Sequence, residues 1–158
     1  MKQVKTNAMR MLDQAKIPYT THLYDVSDGQ IDGISVAKKC NLDAKYVYKT
    51  LITQGASKQY YVFLIPVEKE LSLKEAAKFV NEKSIEMIHV KDIQKVSGYI
   101  RGGCSPIGMK KIFPTIIDAS VEQIENIVFS AGKQGMQIIM NPKDLISFLK
   151  CKIGVISH

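Results

Sequence analysis

The sequence has 158 residues, and 22 Lys and Arg against 15 Asp and Glu give it a formal net charge of +7 and a pI near 9.3. This length is typical of one domain, and a content of 46% hydrophobic and 23% charged residues excludes global disorder. No stretch approaches the ~18 consecutive apolar residues of a membrane helix, and the basic amino terminus leads into no apolar segment typical of a secretory signal. We therefore expect a cytoplasmic protein with a single domain over residues 1–158 and no membrane partner.

The first half of the chain alternates short helices with strands. Apolar periodicity predicts these elements in order: a helix over Thr6–Lys16 that ends before Pro18, a strand over Tyr19–Tyr24, a polar loop over Asp25–Gly33, and a helix over Ile34–Cys40. The β-branched and aromatic runs Val47–Thr53 and Tyr60–Pro66 are joined by a polar, Gly-containing link. That pattern predicts an antiparallel hairpin.

The second half continues the alternation around a glycine-rich segment. Ser72 is predicted to cap a helix that carries Leu73 to Val80, with Glu75 in the position of a capping box. Further elements are predicted at Ile85–Ile88 (strand), Lys91–Val96 (helix), Thr115–Ala119, Ile127–Ser130 and Met136–Met140 (strands), and from Asn141-Pro142 to Leu149 (helix). Several links are too short for a crossover, which favours antiparallel or mixed pairing in one α/β domain with a curved sheet.

The cysteines and histidines indicate neither a disulfide nor a metal site. Cys40, Cys104 and Cys151 are odd in number and form no Cys-x-x-Cys pair, and the three histidines lack metal-binding spacing. We expect reduced thiols, no metal and no cofactor. The charge comes mostly from lysine, since Arg10 and Arg101 are the only arginines. This suits attraction to a phosphate backbone better than base reading in DNA, although a solvated basic surface accounts for the charge equally well.

The candidate site is the segment Gly102-Gly103-Cys104-Ser105-Pro106-Ile107-Gly108. Free N–H groups in such a loop can bind an anion or form an oxyanion hole, and the alternative is a structural turn. A serine-hydrolase elbow is disfavoured because the second glycine of Gly-x-Ser-x-Gly is missing and proline follows the serine. Nothing in the sequence orients a histidine next to Cys104.

Two residues outside this loop are further candidates. Lys49 lies within an otherwise apolar strand, where it either faces solvent or holds a phosphate in a cleft. Tyr24 ends the first strand, where its ring either packs in the core or stacks on a base.

Together these segments resemble a known family. Residues 47–51 (VYKTL) and 97–111 (SGYIRGGCSPIGMKK), with 22–25, 114–118 and 130–135, resemble the YbaK family of aminoacyl-tRNA deacylases, which are relatives of the editing domain of bacterial prolyl-tRNA synthetases. The resemblance runs essentially end to end. It implies a single α/β domain with a mixed, curved, largely antiparallel sheet flanked by helices.

The resemblance also implies a function in translation fidelity, namely trans-editing of mischarged Cys-tRNA(Pro). In this family the substrate's own thiol is thought to attack the ester, so the enzyme supplies no nucleophile. Two rivals remain: a deacylase for another small amino acid such as alanine on tRNA(Pro), and a non-catalytic RNA- or nucleotide-binding module. The implied partners are the acceptor end of tRNA(Pro) and prolyl-tRNA synthetase; the oligomeric state is left open.

By the same resemblance, roles are assigned to the candidate residues. Lys49 would contact the phosphate or ribose at the tRNA 3′ end, and Tyr24 would line the pocket near the terminal adenosine. The loop residues would present N–H groups to the carbonyl or bind the substrate: Gly102, Gly103, Cys104, Ser105, Pro106 and Gly108. Cys104, Arg101 and Gln134 depart from the residues common in the family.

Overall fold

Two β-sheets form the scaffold in the computed structural model, which describes residues 5–158. The start of the basic amino terminus, residues 1–4, lies outside this range. In chain order the strands are β1 (Thr20–Leu23), β2 (Tyr48–Gly55), β3 (Tyr60–Pro66), β4 (Ile85–Met87), β5 (Thr115–Asp118), β6 (Ile127–Lys133), β7 (Met136–Met140) and β8 (Lys152–Gly154). The helices are α1 (Asn7–Gln14), α2 (Gly33–Lys39), α3 (Leu73–Phe79), α4 (Ile93–Ser97) and α5 (Pro142–Leu149).

The larger sheet is mixed and has the strand order β4-β2-β3-β5-β8. The predicted hairpin is its centre: β2 and β3 pair antiparallel, with Lys49 opposite Ile65. Strands β3 and β5 pair in parallel, as do β5 and β8. Short β8 was not among the predicted strands.

The smaller sheet is antiparallel and has the order β1-β7-β6. Its register places His22 of β1 opposite Gln137 of β7, and Gln137 opposite Ser130 of β6. A single parallel bridge between Val47 and Val128 connects it to the larger sheet. The strands thus diverge into two sheets next to Lys49, where a single curved sheet was expected.

The helices begin where the sequence places capping residues. The side chain of Thr6 accepts a hydrogen bond from the Met9 N–H at the start of α1, and Asn141 accepts one from Lys143 at the start of α5. Ser72 caps α3 as predicted by bonding the Glu75 N–H, but its own N–H bonds the Ile156 carbonyl. The reciprocal half of a capping box is therefore replaced by a contact with the carboxyl-terminal segment.

The core fills the space between the helices and the two sheets. Its largest cluster joins one face of α1 to the smaller sheet and α5 through buried side chains that include Leu12, Tyr48, Phe129, Ile138 and Leu145. Ala15, predicted on the apolar stripe of α1, is exposed because the helix ends at Gln14 and Lys16 adopts a left-handed conformation.

Among residues 5–158, no helix combines the length and the apolar character needed to cross a bilayer.

Candidate active site

A cavity of about 130 Å³ opens where the two sheets diverge, between the polar loop and the glycine-rich loop. We call it the main cavity. It is lined by Tyr24, Ile31, Gly33, Val36, Val47, Tyr48, Lys49, Thr50, Val67, Gly102, Cys104, Ser130 and Gln137. Four residues that the sequence singled out, Tyr24, Lys49, Gly102 and Cys104, thus meet in one place.

Lys49 supplies the positive charge of the main cavity. Its side chain is half-buried and forms no salt bridge or hydrogen bond with the residues that the structure describes. Burial lowers the pKa of its ammonium, and the charge of Glu70 opposes this only in part. A cation held this way, without a protein carboxylate, is suited to pairing with an anionic ligand.

The strand that carries Lys49 is fixed on both sides. The Tyr48 hydroxyl and Ser120 Oγ are 2.6 Å apart and share a hydrogen bond, and burial raises the pKa of Tyr48 to about 12. Val47 bridges to the smaller sheet, and its carbonyl accepts a hydrogen bond from the Val67 N–H. Lys49 therefore projects from a backbone that is held by packing and hydrogen bonds.

Three polar residues of the main cavity were missed in the sequence. Thr50 Oγ1 is buried and has no hydrogen-bond partner among the described residues. Gln137 is 5% exposed, and its Oε1 lies 3.5 Å from the Cys40 thiol. Ser130 Oγ accepts a hydrogen bond from the Gly132 N–H. Of the three, only Gln137 could have been noticed in the sequence, because it is a polar residue within the apolar run of β7.

Gly102 allows two loops to approach each other closely. Its φ is +79°, and a Cβ built on it would lie 2.6 Å from Ile31 Cδ1 of the polar loop. Any side chain here would be strained by the left-handed backbone, and the Ile31 side chain would have to move to make room for it. This wall of the main cavity therefore depends on glycine.

Some N–H groups of the glycine loop are hydrogen-bonded within the protein and others are not. The Gly103 N–H donates to the Ile100 carbonyl at 3.0 Å, so it is not free to bind an oxyanion. Within residues 5–158, the N–H groups of Gly102 and Cys104 make no hydrogen bond. The Arg101 carbonyl accepts a hydrogen bond from Gln134 Nε2 at 2.7 Å, which joins two of the three residues that depart from the family pattern.

Cys104 lines the main cavity as a thiol. Burial raises its pKa to about 11, and a hydrogen bond with Ser97 opposes this only slightly. At neutral pH the thiolate fraction is therefore small, which disfavours attack by this sulfur. Neither His22 nor His89 lines the main cavity, so neither is placed there to deprotonate the Cys104 thiol.

The other predicted loop residues point elsewhere. Gly103 packs against the backbone of Lys133 and Gln134 in the β6–β7 turn. Ser105 is fully buried, and its Oγ accepts a hydrogen bond from the Ile107 N–H. Pro106 and Gly108 line a different cavity, beside α1 and α5. These four residues shape the loop from behind the main cavity.

The polar loop opposite is anchored by one lysine. Lys39 Nζ donates to the carbonyls of Asp25 and Gln30 and to the Asp28 carboxylate, at 2.6, 2.9 and 2.7 Å. Asp32 then caps α2 by accepting from the Ser35 N–H. The loop that carries Ile31 is thereby held over the cavity.

Among the described residues, no three His, Cys, Asp or Glu side chains cluster closely enough to suggest a metal site.

Comparison with known proteins identifies the family. Residues 32–148 match the aminoacyl-tRNA editing domain. The chain belongs to this family. The matched segment contains Lys49, the glycine loop, Ser130 and Gln137, which are the polar walls of the cavity, whereas Tyr24 lies before it.

The chain is similar to a curated protein over most of its length. It is 45% identical, over 145 residues, to a protein of Enterococcus faecalis named provisionally as a Cys-tRNA(Pro)/Cys-tRNA(Cys) deacylase, EbsC; the match covers 92% of this chain and 88% of that protein. It is also 31% identical over 93 residues to a proline–tRNA ligase of Fervidobacterium nodosum, covering 59% of this chain but 16% of the ligase.

Solved structures share the fold at low identity. A crystal structure provisionally titled as a trans-editing enzyme for prolyl-tRNA synthetase superposes with a TM-score of 0.80 at 15% identity, covering 96% of this chain and 92% of the other. A hypothetical protein, APE2540, reaches a TM-score of 0.86 at 13% identity, with coverages of 94% and 97%. The predicted family, α/β class and assignment to aminoacyl-tRNA editing enzymes are confirmed.

Proposed function

We propose that the protein, acting as one editing domain in the cytoplasm, clears Cys-tRNA(Pro) in trans through cleavage assisted by the substrate's thiol. The observation that carries the proposal is the main cavity, which combines a half-buried, unpaired ammonium with the absence of an activated nucleophile among its lining residues. Such a site can orient a reactive substrate and stabilise charge without forming a covalent enzyme intermediate.

The size of the cavity suits a small aminoacyl group. A volume of 130 Å³ has room for about four water molecules. Cysteine and proline are similar in size, so a synthetase discriminates between them poorly by packing, and a second site that tests for a thiol corrects the error. The reaction itself then supplies the selectivity that the pocket volume alone does not.

In the proposed step, the substrate's sulfur attacks the ester carbonyl carbon. A carbon–sulfur bond forms, the bond from the carbonyl carbon to the ribose oxygen breaks, and the thiol proton passes to that oxygen. The products are a cyclic thiolactone and tRNA with a free 3′ hydroxyl. The N–H groups of Gly102 and Cys104 would bind the carbonyl oxygen, and Lys49 would pair with the phosphate of the terminal nucleotide.

The matching relative suggests a second tRNA. Because that 45% identical protein is named for both Cys-tRNA(Pro) and Cys-tRNA(Cys), we include Cys-tRNA(Cys) as a candidate substrate. The cavity described above contacts the aminoacyl end, which the two tRNAs share. Selection of tRNA(Pro) would then depend on prolyl-tRNA synthetase, the proposed partner.

A deacylation panel tests the proposal. The protein is incubated with tRNA(Pro) charged with cysteine, serine or alanine, and with Cys-tRNA(Cys). Loss of the cysteinyl esters alone, with thiolactone as the first product, supports the mechanism. Equal rates for cysteine, serine and alanine would rule out thiol assistance, and cleavage of the alanyl ester alone would support the rival deacylase. Binding of tRNA without cleavage would support the non-catalytic alternative.

A pair of variants locates the nucleophile. Lys49→Ala should greatly reduce deacylation, whereas Cys104→Ala should leave it near the wild-type rate. The reverse pattern would indicate that the enzyme's own sulfur attacks the ester.

A further inference from the structure

A second cavity adjoins the main cavity and is not used in the mechanism above. It has a volume of about 360 Å³ and shares three wall residues with the main cavity, Thr50, Gly102 and Cys104. We call it the side groove. Its remaining walls include Leu51, Met87, Ile88, Val90, Ile93 and Arg101.

The side groove is apolar and open to solvent. Val90 is 56% exposed and Met87 is 45% exposed, although both are large hydrophobic residues. Grouped exposed apolar side chains beside a polar site commonly mark a binding surface. Arg101 stands exposed among the groove walls, and a guanidinium can stack on a planar ring as well as pair with a phosphate.

The charge of the groove favours RNA over a basic peptide segment. No Asp or Glu is among its lining residues, and its one charged member is Arg101. Single-stranded RNA is bound by combining positive charge with flat or apolar surfaces on which bases stack. Continuity with the main cavity also restricts the occupant to something attached to the group bound there.

We propose that the side groove binds the adenine of the 3′-terminal adenosine while the main cavity takes the aminoacyl group. This rests on the proposed function. The ester connects the amino acid to the ribose, so the acyl group and the base extend from the sugar in different directions. The three shared wall residues then surround the ester, which is where the free N–H groups of Gly102 and Cys104 lie.

The volumes decide the orientation. The side groove has almost three times the volume of the main cavity, and a purine needs more room than a cysteine side chain. Tyr24 lines the main cavity but not the groove, so in this arrangement it contacts the aminoacyl group rather than the terminal base. Thr50 Oγ1, buried without a partner at the junction, gains the ribose or ester as its partner.

Two stable substrate analogues test the proposal. In 3′-cysteinylamino-3′-deoxyadenosine and its cytidine counterpart, an amide replaces the ester, so binding can be measured by calorimetry without cleavage. We expect the wild type to bind the adenosine analogue about tenfold more tightly, or about 1.4 kcal/mol, because the larger purine buries more apolar surface in the groove.

A matched pair of variants locates the base. Val90→Glu places a carboxylate in the groove at an exposed position and should reduce this preference to less than about threefold. Val155→Glu makes the same change at a valine that is 75% exposed and lies outside both cavities, and should retain the preference.

Several results would overturn the proposal. These are equal binding of the two analogues by the wild type, no binding of either, or a preference that survives Val90→Glu. Loss of the preference in Tyr24→Ala with its retention in Val90→Glu would place the base in the main cavity. Failure of the proposed function would be distinguishable from failure of this proposal. A preference for the adenosine analogue without cleavage of Cys-tRNA(Pro) or Cys-tRNA(Cys) would refute the deacylase and leave the assignment of the groove standing.

Discussion

Replacing Lys49 by methionine separates a ligand-binding role from a structural one. The substitution removes the ammonium and keeps a flexible, unbranched side chain that can pack against the same apolar neighbours. Within the described residues the charge of Lys49 has no salt-bridge partner, and burial lowers the pKa of its ammonium. The charge is therefore a cost to the folded state that Glu70 offsets only in part, and a bound anion would offset it further.

The expected magnitude follows from this environment. A hydrogen bond to a charged group contributes about 1.5–3 kcal/mol, and each 1.36 kcal/mol is tenfold in rate, so Lys49→Met should lower kcat/KM by about 10- to 150-fold. The free energy of unfolding should fall by no more than about 0.5 kcal/mol, because no protein partner is lost.

The assay is deacylation of Cys-tRNA(Pro), measured beside urea unfolding of the same samples. Lys45→Met is the matched control, because it removes the same charge from an exposed lysine whose nearest aromatic contact is the Tyr46 ring, at 5.0 Å. It should change kcat/KM by less than about twofold. Deacylation by Lys49→Met at the wild-type rate would refute the role of the ammonium, and a large loss of stability would show that it is structural.

Three further predictions concern groups around the site. Cys104→Ala should deacylate Cys-tRNA(Pro) at close to the wild-type rate. In the wild type, Cys104 should react slowly with iodoacetamide at pH 8, because burial raises its pKa to about 11. Rapid alkylation would contradict this. Tyr48→Phe should lose about 1 kcal/mol of unfolding free energy with its hydrogen bond to Ser120, and an unchanged urea midpoint would show that this bond contributes nothing. Burial raises the pKa of Asp118, but hydrogen bonds, chiefly from Ser120, outweigh it, and the net pKa is lowered. The stability that this carboxylate contributes is therefore present above pH ~4 and is lost as the pH falls through the lowered pKa. Asp118→Asn should therefore flatten the decline in stability on acidification, and an identical pH profile would refute its contribution.

Local patterns in the sequence predicted most of the elements. The hairpin of β2 and β3 follows from two β-branched runs around a polar Gly-containing link, and α5 from the pair Asn141-Pro142. Strand β8 was not predicted because it has only three residues, two of them exposed, and these show no alternation of apolar and polar side chains. Its pairing with β5 is also between segments far apart in the sequence. The division into two sheets depends on how distant strands meet at Val47 and Val128, which no local pattern encodes.

The site was predicted only as far as its motif residues. Lys49 and Gly102 stand out in the sequence, because a lysine in an apolar strand and paired glycines are unusual locally. Thr50 and Ser130 do not, since hydroxyl residues are common in strands and only the fold shows that these two line a cavity. Ser105 was included because it lies within the motif, but the turn at Ile107 directs its hydroxyl into the protein.

The carboxyl-terminal segment adds an edge strand to the larger sheet and thereby affects the order of folding. Strand β8 pairs with β5, and beyond it the backbones of Glu70 and His158 exchange two hydrogen bonds across 88 positions of sequence. Contacts this distant form late and slow folding, because a long loop must close before they contribute. During synthesis, β2 and β3 therefore emerge from the ribosome well before their sheet can be completed. The sheet that carries Lys49 is therefore complete only after residues 152–154 have been made.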